Sequence, residues 1–366
     1  MTQIRNQTTN RTKVAVIGCG HLGTIHARLL AAREDVELVA VVDPSAASRD
    51  RVAQAHGCKA LAEPCELVGL VAAAIVAAPT GLHAAVSLPL LEAGLDLLVE
   101  KPIAASVEDA RAIVAMARRH ARVVAVGHVE RFNPAWQLAV ARAGRVVSLE
   151  SARLAPFSFR SMDVGVVHDL LIHDIDLVLS LNPGRLDHVD AHGLVATGGH
   201  EDAVRARLIF SSGLVADLSA SRIHPTMERR ITLWSSDAII AVDFNAKSVE
   251  VVAPSDAVRS GSFVAADAPM DQRAGLKETF FESILPRQAL LVPEANAIVC
   301  EHDDFLAAIR LGRAPMVSAA AGAAALEIAN RVIDTLVCTR LGAEAGCSTV
   351  PIAAREVPAF AYRKTA

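Results

Sequence analysis

The chain has 366 residues, which at roughly 150 residues per domain points to two domains rather than one. Hydrophobic residues make up 52%, enough for a sizeable core. A formal net charge of −4, with basic residues scattered, excludes the global field that nucleic acid or an anionic membrane would require.

In chain order, residues 13–17 (KVAVI) form a β-branched run flowing into Gly18, the mark of a buried parallel strand. A helix over 22–32 follows, then a strand over 37–42 ended by Asp43-Pro44, with Ser45 placed to cap a helix reaching His56. Residues 70–77 read as a strand, 83–93 as a helix closed by Gly94, and 95–99 as a strand delivering Glu100-Lys101-Pro102. Ser106 caps a helix to His120, and 122–126 make one more strand. Strands alternating with helices predict an α/β Rossmann domain over 1–132, with a parallel sheet and helices on both faces.

After Asn133-Pro134 the rhythm changes. Helices are predicted over 134–143 and 168–181, and a strand over 146–154. Strand-like runs over 187–195, 203–210, 214–219, 230–234, 238–244 and 248–252 then follow one another without helices between them. That pattern predicts an α+β domain over 133–345 with a mainly antiparallel open sheet, completed by helices near 297–311 and 318–339. Residues 346–366 read as a surface tail.

Three features bear on location. Cys19, Cys58, Cys65, Cys300, Cys338 and Cys347 form no CxxC pair and no metal-ligand spacing, so reduced thiols in a cytoplasmic protein are expected. The polar start, MTQIRNQTTNRTK, lacks the apolar core of a signal peptide. Between residues 67 and 91 His83 is the sole ionisable side chain, but Pro79-Thr80-Gly81 breaks this run into strand and helix. No membrane insertion is expected.

Gly18-Cys19-Gly20-His21-Leu22-Gly23 is a G-x-G-x-x-G between a strand and a helix. Gly18 permits the tight turn, Gly20 the approach of a pyrophosphate, and Gly23 the close packing of helix on strand. The free N–H groups at the start of that helix, at His21 and Leu22, face the phosphates. Asp43 ends the second strand, about 20 residues past the last glycine, where a carboxylate binds ribose hydroxyls and repels a 2′-phosphate. NAD is therefore the expected cofactor. Pro79, Thr80 and His83 lie on the same sheet edge and are candidate nicotinamide-side contacts, as are Glu100 and Lys101.

Hydride transfer from an alcohol needs a base beside the nicotinamide. Lys101 stands at a strand end, outside which ligands gather in open α/β folds, although a lysine there also reads as a solvated charge. Glu100 could pair with it. The run HDLLIHDID (168–176) puts Asp169, His173 and Asp176 on one face of an ideal helix. Such a stripe reads either as catalytic, with Asp169 orienting the His173 ring, or as a satisfied structural network. A metal site is a third reading, but no third ligand is evident and none is expected.

Taken together, GCGHLG, Asp43, Ala78-Pro79-Thr80, Glu100-Lys101-Pro102 and HDLLIHDID resemble the Gfo/Idh/MocA family of sugar and inositol dehydrogenases over residues 12–340. The resemblance implies that Lys101, Asp169 and His173 surround the substrate carbon facing the nicotinamide. The run GHVERFNP (127–134), with IHDIDLVLSL (172–181), is similar to the sugar-nucleotide branch. That implies oxidation of the C3 hydroxyl of UDP-N-acetylglucosamine, on a route to 3-amino sugars of lipid A, with Arg131 and Asn133 contacting cofactor or sugar. Arg131-Phe132-Asn133 also reads as a plain helix entry, with Phe132 packing and Asn133 capping. A UDP ligand needs a cationic seat, for which Arg160, Arg222, His224 and Arg229 are candidates. Competing substrates are a free sugar, an inositol or another sugar nucleotide, and a non-catalytic NAD-binding sensor is the reading from another class. A homodimer or homotetramer through the C-terminal sheet is expected.

Overall fold

The apolar runs of the first third have no polar face to turn to water, so they pair inside a sheet covered on both sides. The computed structural model describes residues 11–159 and 164–342. It opens with β1 (Thr12–Ile17), α1 (His21–Ala31), β2 (Val36–Val42), α2 (Ala46–His56), β3 (Lys59–Leu61) and β4 (Ala73–Val76). Next come α3 (His83–Glu92), β5 (Asp96–Glu100), α4 (Val107–Arg119) and β6 (Val124–Gly127). The strands run in the order β3-β2-β1-β4-β5-β6, all parallel. Strand order reverses at β1, and the crevice outside the carboxyl ends at such a switch point is where ligands enter this architecture. Ser45 and Ser106 cap α2 and α4 by accepting from the N–H groups of Ser48 and Asp109. The apolar run at 67–91 becomes β4 and α3, and among the described residues no helix is long and apolar enough to cross a membrane.

The second layer begins with α5 (Pro134–Arg142), β7 (Val146–Leu154) and α6 (Ile172–Ser180). It continues through β8 (Leu186–Val195), β9 (Ala203–Phe210), β10 (Val215–Ser221), β11 (Glu228–Ser235), β12 (Ile239–Asp243) and β13 (Ser248–Val252). Two short helices, α7 (Asp256–Arg259) and α8 (Arg273–Glu278), precede β14 (Arg287–Leu290), α9 (Ala297–Leu311), α10 (Ala319–Thr335) and β15 (Val337–Arg340). The nine strands are ordered β14-β13-β12-β11-β7-β10-β9-β8-β15. Only β7·β10 and β8·β15 are parallel, so the sheet is mainly antiparallel, as its helix-free strand runs predict. Alternate residues such as Leu208, Leu218 and Leu233 turn to one face and pack against Ile172, Ile175 and Val178 of α6 and Ala325 and Val332 of α10.

The structure corrects two sequence expectations. The last helix stops at Thr335 instead of reaching 339, because Val337-Cys338-Thr339 pairs in parallel with β8. The chain also crosses back over the boundary drawn at residue 132. Phe305 and Leu306 of α9 share a core with Val14 and Val16 of β1, and Leu326 of α10 shares one with Val126 of β6. The dinucleotide layer is therefore completed by the end of the chain. The tail over 346–366 lies outside the described residues.

Candidate active site

The glycine loop divides its labour. Gly18 has φ +95°, and a Cβ there would lie 2.4 Å from the Ala77 carbonyl oxygen. A Cβ on Gly23 would lie 1.7 Å from the Gly18 carbonyl oxygen, which holds α1 tight against the loop. A Cβ on Gly20 would meet nothing within 4 Å. Gly20, His21 and Leu22 are exposed at the start of α1, so the open side of the loop is free for a pyrophosphate. Asp43 is held over the loop, accepting from the Cys19 N–H (2.8 Å) and the Ser45 N–H (2.8 Å). Pro79 and Thr80 lie open on the turn after β4. These residues fit a dinucleotide.

Lys101 follows β5 and meets the start of α6. Its ammonium donates to the Asp169 carbonyl (2.7 Å) and to Asp169 Oδ1 (3.1 Å). Residues Val167–Leu171 form a π-helical turn ahead of α6, and such turns recur at functional sites. The wider turn breaks the phase relation of an ideal α-helix. Asp169 therefore engages Lys101 and does not orient His173, which corrects the expected pairing. The Nδ1 of His173 is buried without a partner among the described residues, while the residue keeps part of its surface open. Burial, then the charges of Lys101 and Arg153, push the His173 pKa well below its ordinary value, so the ring is neutral at pH 7.

Other expected site residues have different work. His83 is 1% exposed and its ring nitrogens lie 2.9 Å from the Pro102 carbonyl and 2.8 Å from the Ala78 carbonyl, so it ties two strand ends together instead of facing cofactor. Glu100 turns inward: its Oε1 is 2.8 Å from His26 Nε2, and His26 Nδ1 is 2.8 Å from His302 Nε2 on α9. Its Oε2 accepts from the Lys101 backbone N–H (3.2 Å). Burial raises the Glu100 carboxyl, but the hydrogen bond and charge of His26 outweigh it and hold the group below the usual range. Glu301, beside it, is driven well up by burial and by the Glu100 charge. Ligand-type atoms of His26, Glu100 and Glu301 lie within 4.8 Å of one another. His26 links Glu100 to His302 by hydrogen bonds behind Lys101.

Arg131 forms a bidentate pair with Asp176 (2.7 and 3.1 Å), and Asn133 caps α5 while donating to Glu130 (3.0 Å). Both are committed to the helix entry, and Phe132 packs into the core beside them. Arg222 is paired with Asp202 (2.7 Å) and donates to the Val164 carbonyl (2.9 Å), away from ligand duty. Arg160 lies outside the described residues. His224 turns onto the Thr226 carbonyl (2.9 Å). Arg229 stands directly across from Arg153 on β7, on the sheet face that carries α6. Arg153 is held by Asp174 and Glu130, whereas Arg229 is exposed and has no side-chain partner among the described residues.

One neighbour of His173 escaped the sequence reading. His128, one residue past β6, is 1% exposed and sits edge-on to His173 with ring centroids 6.3 Å apart. The signal was available: a polar residue just beyond a parallel strand, the argument that singled out Lys101. His26 and the Glu301-His302 pair were missed because their partners lie far apart in sequence.

Residues 12–128 match the oxidoreductase family with an NAD-binding Rossmann fold, and residues 140–241 match the GFO/IDH/MocA C-terminal domain. The chain is 33% identical to a UDP-N-acetylglucosamine 3-dehydrogenase of Acidithiobacillus ferrooxidans, covering 87% of this chain and 96% of that one. A solved structure of that enzyme superposes with a TM-score of 0.78 at 31% identity, over 89% of this chain and 98% of the other. The scyllo-inositol 2-dehydrogenase (NAD(+)) of Bacillus subtilis is 28% identical over 59% of this chain and 69% of its own length. With both layers matched and a relative of 33% identity covered almost in full, the chain belongs to the Gfo/Idh/MocA family of NAD-binding oxidoreductases.

Proposed function

We propose that the chain oxidises a sugar hydroxyl with NAD, and that its substrate is UDP-N-acetylglucosamine, oxidised at C3. The reading is supported by the Lys101 ammonium, held by Asp169 at the carboxyl end of the parallel sheet, and by a neutral His173 that feels its charge. Bound NAD supplies the hydride acceptor. His173 takes the hydroxyl proton through Nε2, since its Nδ1 is buried. Lys101 donates to the same oxygen and stabilises the negative charge developing there. His173 is uncharged and has a lone pair to offer, whereas the Lys101 ammonium donates its hydrogens to Asp169, which favours His173 as the proton acceptor.

The narrower substrate is supported by the likeness to the Acidithiobacillus enzyme and by Arg229, an unpaired cation suited to a diphosphate. The product would be a 3-keto sugar nucleotide, the kind of precursor that 3-amino sugars of lipid A require, formed in the cytoplasm. The outer face of the nine-stranded sheet, with Trp234 and Leu194 exposed, would hold two copies together. Lys101→Ala and His173→Ala variants, followed by NADH absorbance with UDP-N-acetylglucosamine, test the mechanism. Each should lose at least about a hundredfold in kcat, and near-wild-type turnover in both would overturn it. The inositol-oxidising relative makes a free cyclitol the second reading. A panel of nucleotide sugars, free sugars and inositols decides between them, and tight NAD binding without turnover on any would favour the sensor.

A further inference from the structure

With Asp169 spent on Lys101, the His173 ring lacks the fixed partner that a proton acceptor needs. We propose that His128 is that partner, a positioning residue that sets the tautomer and orientation of His173 through one bridging water between their rings. The inference rests on the proposed role of His173 and extends it to a residue at the end of a different strand.

Both ring nitrogens of His128 and Nδ1 of His173 are buried with no hydrogen-bond partner among the described residues. The rings stand at 88° with centroids 6.3 Å apart, so the pair meets edge to face and is not directly hydrogen-bonded. Unpaired polar atoms are costly to bury, and a water held between the two rings would give these nitrogens the partners they lack. The location is built, not incidental. Gly127, just before His128, is opposite Glu100 across β5 and β6, and a Cβ there would come 2.9 Å from the Glu100 carboxylate. The fold thus brings His128 to the carboxyl edge beside Lys101.

The charged groups acting on His128 are Asp176, Arg131, Lys101 and Glu100, and those on His173 are Lys101, Arg153 and Arg229. Burial in that company leaves both rings neutral, each with one N–H and one lone pair. When His173 donates from Nδ1 toward the bridge, the lone pair on Nε2 is turned to the crevice, which is the tautomer that can accept a hydroxyl proton. Without His128, nothing selects between the two tautomers.

The test needs no substrate in its first arm. Nitrogen-15 spectra of the full-length protein should show His173 as a single Nδ1–H tautomer in the wild type and as a mixture in His128→Leu. His128→Gln, which keeps a donor and an acceptor, should restore the single form. In turnover assays His128→Leu should lower kcat by about a hundredfold with KM little changed, and His128→Gln should recover most of it. A His128→Leu protein that keeps the pure Nδ1–H tautomer would overturn the proposal, as would a His128→Gln protein no better than the leucine variant. If no sugar is oxidised by any form, the substrate reading fails while the spectra still decide the pairing of the two rings.

Discussion

A histidine can accept a proton at neutral pH only if its ring is uncharged there, and surroundings that disfavour the charged ring keep it so. At His173 burial does most of this, with Lys101 the largest single charge contributing. The acid limb of kcat/KM should therefore fall below pH 6.5, the ordinary histidine value. Replacing Lys101 by Met removes the cation, so whatever activity remains should lose its acid side at a higher pH than in the wild type. A pH–rate profile of both proteins checks this, and an unshifted limb in Lys101→Met would contradict the assignment of His173 as base. Lys101, Asp169 and His173 were legible as residue types at strand and helix ends. Who pairs with whom was not, because a π-helical turn leaves no pattern in residue spacing. Arg131, Asn133 and Arg222 illustrate the converse. Each has the chemistry to bind a ligand, yet each is occupied by a carboxylate or a cap that becomes a neighbour only on folding.

At the scale of elements, the glycine loop separates packing from binding. Adding a methyl group at Gly23 drives it onto the Gly18 carbonyl at 1.7 Å, backbone against backbone, so α1 must move off β1. Gly23→Ala should cost about 3 kcal/mol or more, read as a lower denaturant midpoint or loss of folded protein. Gly20→Ala meets nothing within 4 Å and should unfold like the wild type while weakening NAD binding measured by calorimetry. Equal stability losses in both variants would refute this division. Most elements were visible in advance, since buried parallel strands and capped helices write strong patterns. Among the strands the exceptions, β3, β14 and β15, have 3, 4 and 4 residues and lie at sheet edges, where pairing depends on what the chain meets in space.

For the molecule as a whole, burial lowers the pKa of His83, His128, His173 and His302, the last to about 3. Unfolded histidines take up protons first as pH falls, so the stability these four supply is full above pH 6.5 and declines below it. Each proton taken up on unfolding contributes a slope of about 1.4 kcal/mol per pH unit. Glu301, raised above 4.5, acts in the opposite sense and offsets part of that slope. Urea midpoints should therefore fall between pH 7 and pH 5.5, and fall less in His302→Gln. A midpoint constant over that range would show that these rings are not neutral. The two-layer plan was readable from the change of rhythm after residue 133, but the return of α9 was not, because nothing local marks a helix as belonging to a sheet far upstream. That return has a practical corollary for protein engineering. Because Phe305 and Leu306 finish a core begun by Val14 and Val16, and His302 grips His26, the cofactor half is not one uninterrupted piece of chain. A chimaera that borrows another relative's substrate half must be spliced at two junctions, keeping α9 with its own glycine loop. A single cut near residue 133 would mate the loop with a stranger's clasp.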